Sequence, residues 1–306
     1  MKRVFYFNIT YRCNYRCRYC FSHTTHGSVQ RRDIDLSSFK ESLSRFRVGT
    51  GDRIVLNGGE PTLHKNFMEI INISLATCSE VVLYSNGAVL SDRGFVQELF
   101  SKKGLRVTIP IHGDEVSHDY VTQCIGSWNK ARRAISNISS FGSWQCLEPK
   151  FIVSDIMAMK AFDTRRFLLS TVDNWDTVCD VVIAGQVNTF KARRNGFCAY
   201  DSVERMSYVE HEIIKNSSEI WTKFYDLALC RCSVGFRQRF SGLRMFDPDV
   251  EIYFSDGNCP PRLRVLPKKA RLNDCGLCHL RHVCTSICNN YCVTRMYKNV
   301  IERTLE

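Results

Sequence analysis

Short apolar runs alternate with amphipathic segments along roughly the first two thirds of the chain. Apolar positions that alternate indicate strands, and apolar positions that recur every three to four residues indicate helices. Strands are predicted at residues 4–10, 53–56, 80–84, 106–111, 150–153 and 178–184. Helices are predicted at residues 36–46, 67–75, 94–101, 129–140 and 162–171, and a further helix at 208–215.

This alternation predicts about six βα units, which right-handed crossovers join into a parallel sheet. The expected fold class is therefore α/β, a partial (β/α)6 TIM-like barrel with its active site at the carboxyl ends of the strands. Three polar segments directly follow strands: a cysteine loop, Gly-Gly-Glu-Pro at 58–61 and Ser-Asn-Gly at 85–87. We expect these three segments to converge on one edge of the sheet.

Cysteine distribution divides the chain into two parts. Three of the 16 cysteines lie within eight residues near the start, and eight lie between Cys230 and Cys292, where apolar periodicity fades. We therefore predict a boundary near residue 220, with a barrel at 1–220 and a small cysteine-rich domain at 221–306. In a reducing compartment, clustered cysteines indicate metal ligation or catalysis rather than disulfides.

Charge and hydropathy limit the partners and the location. No apolar run is long enough to span a membrane, and no signal peptide precedes the first cysteine, so we expect a cytoplasmic protein. The formal net charge of +11 favours an anionic partner. Thiolate-bound iron–sulfur clusters would add negative charge, so the basic balance is only a weak indication of nucleic acid.

The early cysteines, Cys13, Cys17 and Cys20, are separated by four and three residues. At this spacing each thiolate can bind one iron of a four-iron cluster, which leaves the fourth iron open to a cofactor. An electron from the cluster can then break a carbon–sulfur bond in a bound sulfonium. The alternative is a zinc site completed by His23 or His26, although zinc sites usually pair cysteines as Cys-x-x-Cys.

The cysteine triplet resembles the CxxxCxφC motif of the radical S-adenosylmethionine (SAM) superfamily, with a tyrosine at the aromatic position. The segment at 58–61 resembles the GGEP motif, which is expected to bind the amino group of SAM. Glycine backbone can approach a ligand closely, and a carboxylate suits an ammonium. The residues that the resemblance places at the cofactor are Tyr19, Gly58, Gly59, Glu60, Ser85, Asn86 and, at the ribose, His112. An ordinary Asn-Gly turn and an interior or solvent-facing histidine are the alternatives for the last three.

The C-terminal cysteine block resembles the SPASM signature of radical SAM enzymes, which implies two auxiliary four-iron clusters. One would be held by Cys275, Cys278, Cys284 and Cys292, and the other by Cys230, Cys232, Cys259 and Cys288. The pattern departs from the family upstream, because Gly257 lies only two residues before Cys259 and Cys230 is very close to Cys232. A single auxiliary cluster is therefore an alternative, and a nucleic-acid-binding zinc ribbon is another.

Five scattered cysteines are predicted to be small buried hydrophobic side chains: Cys78, Cys124, Cys146, Cys179 and Cys198. The alternative role is a thiol that returns a hydrogen atom to a substrate radical. Cys198, late in the predicted barrel and beside aromatic residues, is the candidate catalytic residue of this kind.

The resemblance implies an oxidoreductase or isomerase that reductively cleaves SAM to a 5′-deoxyadenosyl radical, which abstracts a hydrogen atom from a substrate. A peptide substrate is predicted, with crosslinking or epimerisation in the maturation of a ribosomal peptide natural product. The alternative is dehydrogenation or epimerisation of a small molecule such as a sugar or aminoglycoside. The implied redox partner is a low-potential electron donor such as flavodoxin or ferredoxin.

Overall fold

The computed structural model describes residues 2–20, 33–141, 146–153, 181–185, 222–225, 250–256 and 262–263. Its strands are β1 (Lys2–Thr10), β2 (Arg53–Gly58), β3 (Glu80–Tyr84), β4 (Leu105–Ile111), β5 (Leu147–Val153), β6 (Val181–Gly185), β7 (Thr222–Tyr225), β8 (Val250–Asp256) and β9 (Arg262–Leu263). Its helices are α1 (Leu36–Arg45), α2 (Phe67–Thr77), α3 (Arg93–Leu99), α4 (Glu115–Thr122) and α5 (Ser127–Phe141). Single 3-10 turns occur at Pro61–Leu63 and Val89–Ser91.

The described strands form one sheet in the order β7-β6-β5-β4-β3-β2-β1-β8-β9. Every neighbouring pair from β7 to β8 is parallel, and β9 alone pairs antiparallel, with β8. Because neighbouring parallel strands end at the same edge, the loops that follow β1 to β4 share one side of the sheet. The prediction of an α/β fold with a parallel sheet is confirmed.

The two faces of the sheet bury different amounts of apolar surface. Phe5, Phe7 and Ile9 of β1 are fully buried in the main core, which also contains buried side chains of α1, α2, α3 and α5. The alternate position Val4 packs in a small second cluster with Val55. Strand periodicity explains the division, because successive side chains point to opposite faces.

Helix α4 was missed by the sequence pattern because it is short and its apolar positions are few. Asp114 caps its first turn by accepting a hydrogen bond from the backbone N–H of Ser117 at 2.9 Å. Gln123 ends the helix in the left-handed conformation, with φ of 56°. Local polar groups, rather than an apolar stripe, therefore define this helix.

Strands β7, β8 and β9 were not predicted either, and they lie beyond the proposed boundary near residue 220. Strand β8 pairs with β1 along its whole length, from Lys2 opposite Val250 to Asn8 opposite Asp256. The sheet thus continues into the segment assigned to the second domain, while the division of the chain at that point stays a prediction. The helices predicted at 162–171 and 208–215 lie outside the described residues. None of the described helices has the length and apolar character needed to cross a membrane.

Candidate active site

The two glycines after β2 hold the cysteine loop against the sheet. The backbone N–H of Gly59 donates to the Thr10 carbonyl at 2.8 Å, and that of Glu60 donates to the Arg12 carbonyl at 2.7 Å. Gly58 has a φ of +143°, and a Cβ there would overlap the Thr10 carbonyl oxygen. A Cβ on Gly59 would likewise overlap the Arg12 carbonyl oxygen. Only glycine permits this approach, so the Gly-Gly pair positions the loop that carries Cys13.

The three early cysteines are partly exposed thiols in one short loop, and none forms a disulfide. The Cys20 N–H donates to the Cys17 carbonyl at 3.1 Å, which closes a turn between the second and third thiols. The Cys13 Sγ accepts a hydrogen bond from the Tyr15 N–H at 3.4 Å. Burial raises the pKa of the Cys13 thiol above its ordinary value, and this N–H group opposes the rise. Metal binding would therefore have to displace a proton from this thiol.

Glu60 is fully buried and is the centre of a hydrogen-bond network. Its Oε1 accepts from the Thr62 hydroxyl at 2.6 Å, the Thr62 N–H at 3.2 Å and the Ser85 hydroxyl at 2.8 Å. Its Oε2 accepts from the Asn86 N–H at 2.7 Å. Burial raises the pKa of Glu60, and these donors work against the rise. Since a carboxylate has about four acceptor positions on its two oxygens, Oε2 keeps capacity for a further donor such as an ammonium.

Asn86 connects the third polar segment to the cysteine loop. Its Nδ2 donates to the Asn14 Oδ1 at 2.7 Å and to the Cys13 Sγ at 3.9 Å. Its Oδ1 accepts from the Ala88 N–H at 2.9 Å, which fixes the orientation of the amide. The prediction that the loops after β1, β2 and β3 converge is confirmed. Asn86, which follows β3, hydrogen-bonds to Glu60 after β2 and to Cys13 and Asn14 after β1.

Tyr19 reaches across to the end of β4, where its hydroxyl lies 2.9 Å from the His112 Nε2. The two rings meet edge to face with centroids 5.2 Å apart. Behind the two rings, the backbone N–H of His112 donates to the His118 Nδ1 at 3.3 Å. Burial lowers the pKa of His112 well below its ordinary value, and His118 lowers it further. His112 is buried in this structure, and its predicted contact with a ribose stays a prediction.

Helix α4 holds the opposite side of the cysteine loop. The N–H groups of Arg16 and Arg18 donate to the carbonyls of Thr122 at 3.1 Å and Val121 at 2.8 Å. The Arg18 Nε donates to the Tyr120 carbonyl at 3.0 Å, and its guanidinium lies 4.0 Å from the centre of the Tyr120 ring. The last carbonyls of a helix lack partners within the helix and carry partial negative charge. The end of α4 is therefore a natural acceptor for the N–H groups on either side of Cys17.

Asp119 fixes the turn between α4 and α5. Its carboxylate accepts from the Gly126 N–H at 2.5 Å, the Ser127 hydroxyl at 2.8 Å and the Trp128 N–H at 2.8 Å. Burial opposes ionisation of Asp119, but the hydrogen bonds from Trp128, Gly126 and Ser127 outweigh it and lower its pKa. The position of α4, and with it one side of the cysteine loop, thus depends on this carboxylate.

Comparison with known proteins identifies this arrangement. Residues 7–159, half of the chain, match the family model of the radical SAM superfamily. The matched span contains the cysteine triplet and all four loops described above. The chain belongs to the radical SAM superfamily.

Relatives within the superfamily act on different substrates. The chain is 30% identical over 131 residues to an S-adenosylmethionine-dependent nucleotide dehydratase of Selenomonas ruminantium, which covers 42% of this chain and 45% of the relative. It is 25% identical over 134 residues to the mycofactocin maturase of Mycolicibacterium smegmatis, which covers 44% of this chain and 33% of the relative. The chain thus spans less than half the length of these curated relatives.

A solved structure extends the similarity in fold further along the chain. SuiB of Streptococcus suis, bound to S-adenosylmethionine, aligns over 94% of this chain and 72% of SuiB. The TM-score is 0.62 at 12% identity, which shows a shared fold alone. Another structure of SuiB is bound to the precursor peptide SuiA.

The described residues fit the cofactors that the superfamily uses, a four-iron cluster and SAM. Three thiols lie in one loop with no disulfide. Asn86 connects this loop to the buried Glu60, whose Oε2 accepts one hydrogen bond and has capacity for another. Among the described residues, no group of three or more His, Cys, Asp or Glu side chains is arranged to hold a metal ion. Thiolates bound to separate irons of a cluster lie further apart than the ligands of a single ion, so this arrangement is compatible with a cluster.

Several sequence predictions fall outside the described residues. They concern Cys198, the alternative zinc ligands His23 and His26, the scattered Cys179, and the auxiliary set Cys230, Cys232, Cys259, Cys275, Cys278, Cys284, Cys288 and Cys292. Of the other scattered cysteines, Cys78 and Cys146 are buried in the core as predicted. Cys124 is only partly buried, contrary to the prediction, because it lies in the turn after α4. Asn14, Thr62 and Asp119 were missed. Asn14 is joined to Asn86 across 72 positions, whereas Thr62 and Asp119 bond to groups close in sequence but belong to no motif that the sequence analysis used.

Proposed function

We propose that the chain reductively cleaves SAM and uses the 5′-deoxyadenosyl radical to abstract a hydrogen atom from a peptide. The observation that carries the proposal is the attachment of the cysteine loop to the Gly-Gly-Glu and Ser-Asn segments. Cys13, Cys17 and Cys20 would hold the four-iron cluster. Glu60 would accept from the SAM ammonium through its Oε2, which takes one hydrogen bond from Asn86.

Each of these protein groups has a defined task. Asn86 donates to the Cys13 Sγ, and hydrogen bonds to cluster sulfur raise the reduction potential by stabilising the more negative state. Gly58 and Gly59 keep the cysteine loop close to the carboxyl edge of the sheet. Held by Cys13, Cys17 and Cys20, a four-iron cluster would supply the single electron needed to cleave SAM to methionine and the 5′-deoxyadenosyl radical.

A peptide substrate is proposed because the fold is shared with SuiB, a structure of which contains a precursor peptide, and because of the similarity to a maturase. After hydrogen abstraction, the substrate radical would lose an electron to an auxiliary cluster, giving a crosslink, or regain a hydrogen atom from a thiol such as Cys198, giving an epimer. The auxiliary clusters on the C-terminal cysteines belong to the same proposal.

A small-molecule substrate is the second candidate. It is favoured by the 30% identity with a nucleotide dehydratase over 131 residues. Because that similarity covers less than half of either chain, it concerns the cofactor-binding half and leaves the substrate open to test.

The cofactor chemistry is tested by anaerobic reconstitution of wild-type protein and the Cys17→Ala variant. We expect the wild-type protein to bind iron and sulfide, to absorb near ~400 nm and to form 5′-deoxyadenosine when reduced. Cys17→Ala should lose all three properties. Cys78→Ala is the matched control, since Cys78 is a buried core thiol that precedes β3 at the other edge of the sheet. Zinc in place of iron in the wild-type protein would contradict the proposal.

The substrate class is tested by deuterium transfer into 5′-deoxyadenosine. Deuterated precursor peptides encoded beside the gene would be compared with deuterated nucleotides and sugars. Transfer from a peptide supports the first proposal. Transfer from a small molecule, with none from any peptide, would replace it with the second.

A further inference from the structure

Tyr15 carries a buried hydroxyl that has no hydrogen-bond partner among the described residues. The residue is only 2% exposed, and within the part of the chain that the structure describes no donor or acceptor meets its hydroxyl oxygen. Buried polar groups in folded proteins are almost always paired, because an unpaired one loses its hydration without compensation. A buried, unpaired hydroxyl in the cysteine loop therefore indicates a partner that arrives with the group that the loop binds.

Tyr15 lies midway between the first two thiols of the cysteine loop. Its backbone N–H donates to the Cys13 Sγ at 3.4 Å. The next N–H group, that of Arg16, donates to the Thr122 carbonyl at the end of α4, at 3.1 Å. The backbone at Tyr15 is thus fixed on both sides by hydrogen bonds that do not involve its hydroxyl. Removal of the hydroxyl alone should therefore leave the loop and the buried ring in place.

The electrostatic surroundings of Tyr15 make its hydroxyl a donor. Burial raises the pKa of Tyr15, and the negative charges of Cys124, Glu60, Cys17 and Asp119 raise it further, so the hydroxyl keeps its proton. The carboxylates of Glu60 and Asp119 accept from other donors instead, as described above. Cys17 differs from them, because binding iron converts its thiol to a thiolate, which is a better acceptor.

We propose that the Tyr15 hydroxyl donates a hydrogen bond to a sulfur atom of the four-iron cluster, at or next to the Cys17 thiolate, and thereby raises the reduction potential of the cluster. The inference rests on the proposed function, because it requires a cluster on Cys13, Cys17 and Cys20. Reduction adds one electron, and hence one negative charge, to the cluster, while the hydroxyl keeps its proton. A donor that faces sulfur stabilises this more negative state.

The Tyr15→Phe variant, which keeps the ring and loses the hydroxyl, tests this role. The reconstituted variant should bind as much iron and sulfide per chain as the wild-type protein. The midpoint potential of the bound cluster is measured without oxygen and without SAM, by EPR of samples poised at a series of potentials. We expect reduction to be about tenfold less favourable in the variant, which lowers its midpoint potential by about 59 mV for one electron. An unchanged potential would overturn the proposal.

Tyr253→Phe is the matched control, because it also removes one partly buried phenol hydroxyl. This hydroxyl donates to the Glu251 carboxylate at 3.0 Å. Tyr253 pairs with Phe5 in the first half of β1, whereas the cysteine loop follows Thr10 at the other end of that strand. The control should therefore keep the wild-type potential. A shift as large as that of Tyr15→Phe would mean that the effect is not specific to the cysteine loop, and the proposal would be wrong.

Site-specific replacement of Tyr15 by 3-fluorotyrosine tests the same hydrogen bond in the opposite direction. Fluorine withdraws electrons from the ring and makes the hydroxyl a stronger donor, so the potential should rise above that of the wild-type protein. A ring that only fills space gives no such rise. A potential that falls or stays constant in this variant would contradict the hydrogen bond, even if Tyr15→Phe failed to retain its cluster.

Failure of this inference can be distinguished from failure of the proposed function. If the wild-type cluster forms 5′-deoxyadenosine when reduced but its potential does not respond to the Tyr15 variants, only the role of Tyr15 is wrong. The same holds if the variants change the affinity for SAM and leave the potential constant. If the wild-type protein binds no four-iron cluster, or the reduced cluster yields no 5′-deoxyadenosine, the proposed function itself is wrong.

Discussion

Acid should destabilise this protein through His118, a fully buried imidazole of α4. Burial lowers the pKa of His118 from its ordinary 6.5 to about 4, although Asp119 acts in the opposite direction. Between about pH 4 and pH 6.5, the folded state therefore binds fewer protons than the unfolded state. It follows that the contribution of His118 to stability is fully present above about pH 6.5 and is lost as the pH falls towards 4.

The magnitude follows from the difference between the two pKa values. A tenfold change in proton affinity is worth about 1.4 kcal/mol, so the complete loss amounts to about 3 kcal/mol, of which about 2 kcal/mol is lost by about pH 5. The pKa of His112 is also lowered by burial, so its protonation adds to the loss in the same direction.

Urea unfolding of the wild-type protein and the His118→Asn variant, measured without oxygen at about pH 7 and about pH 5, isolates this contribution. Asparagine keeps an acceptor near the position of the His118 Nδ1, to which the His112 N–H donates. We expect the variant to be less stable at neutral pH because it loses ring packing against Trp128. Between the two pH values, however, the variant should lose about 2 kcal/mol less than the wild-type protein. Equal losses, or an NMR titration of His118 near pH 6.5, would refute the reasoning.

Two further substitutions test the supports of the cysteine loop. Gly59→Ala should displace the cysteine loop, because its Cβ would overlap the Arg12 carbonyl. The reconstituted variant should therefore bind much less iron per chain. Gly51→Ala is the control, since a Cβ there meets nothing within 4 Å, and it should bind as much iron as the wild-type protein. Asp119→Asn should lower the free energy of unfolding by about 2 kcal/mol, since an amide accepts fewer of the three hydrogen bonds, whereas Glu115→Gln should change it little. Unaltered iron content in Gly59→Ala, or equal stability of the two carboxylate variants in thermal unfolding, would count against these roles.

Local patterns allowed much of the site to be predicted. The strand that ends at Thr10, the cysteine spacing and Gly-Gly-Glu are each contiguous in sequence, and the rule that loops after parallel strands share an edge placed them together. What the pattern could not supply is the partner of each polar atom. Asn14 carries no signal of its own, and its contact with Asn86 appears only when the loop after β3 lies beside the cysteine loop.

Helix α4 is a second feature that the sequence pattern could not predict. Its apolar residues Val116 and Tyr120 face outward, so the usual association of apolar positions with the core would orient this segment wrongly. Its position is determined in part by the local hydrogen bonds of Asp119. The carbonyls at its end also accept from Arg16 and Arg18, and these hydrogen bonds join residues about a hundred positions apart.

The sequence by itself determined the alternation of strands and helices, the thiol-bearing loop and the glycines that follow β2, because periodicity, residue chemistry and backbone freedom are local properties. The tertiary structure alone decided that β8 lies beside β1, that the buried Glu60 accepts from Ser85 and Asn86, and that the end of α4 supports the cysteine loop. These features depend on which distant groups meet once the core has formed, since a buried polar group is stabilised only by the partners that the fold brings to it.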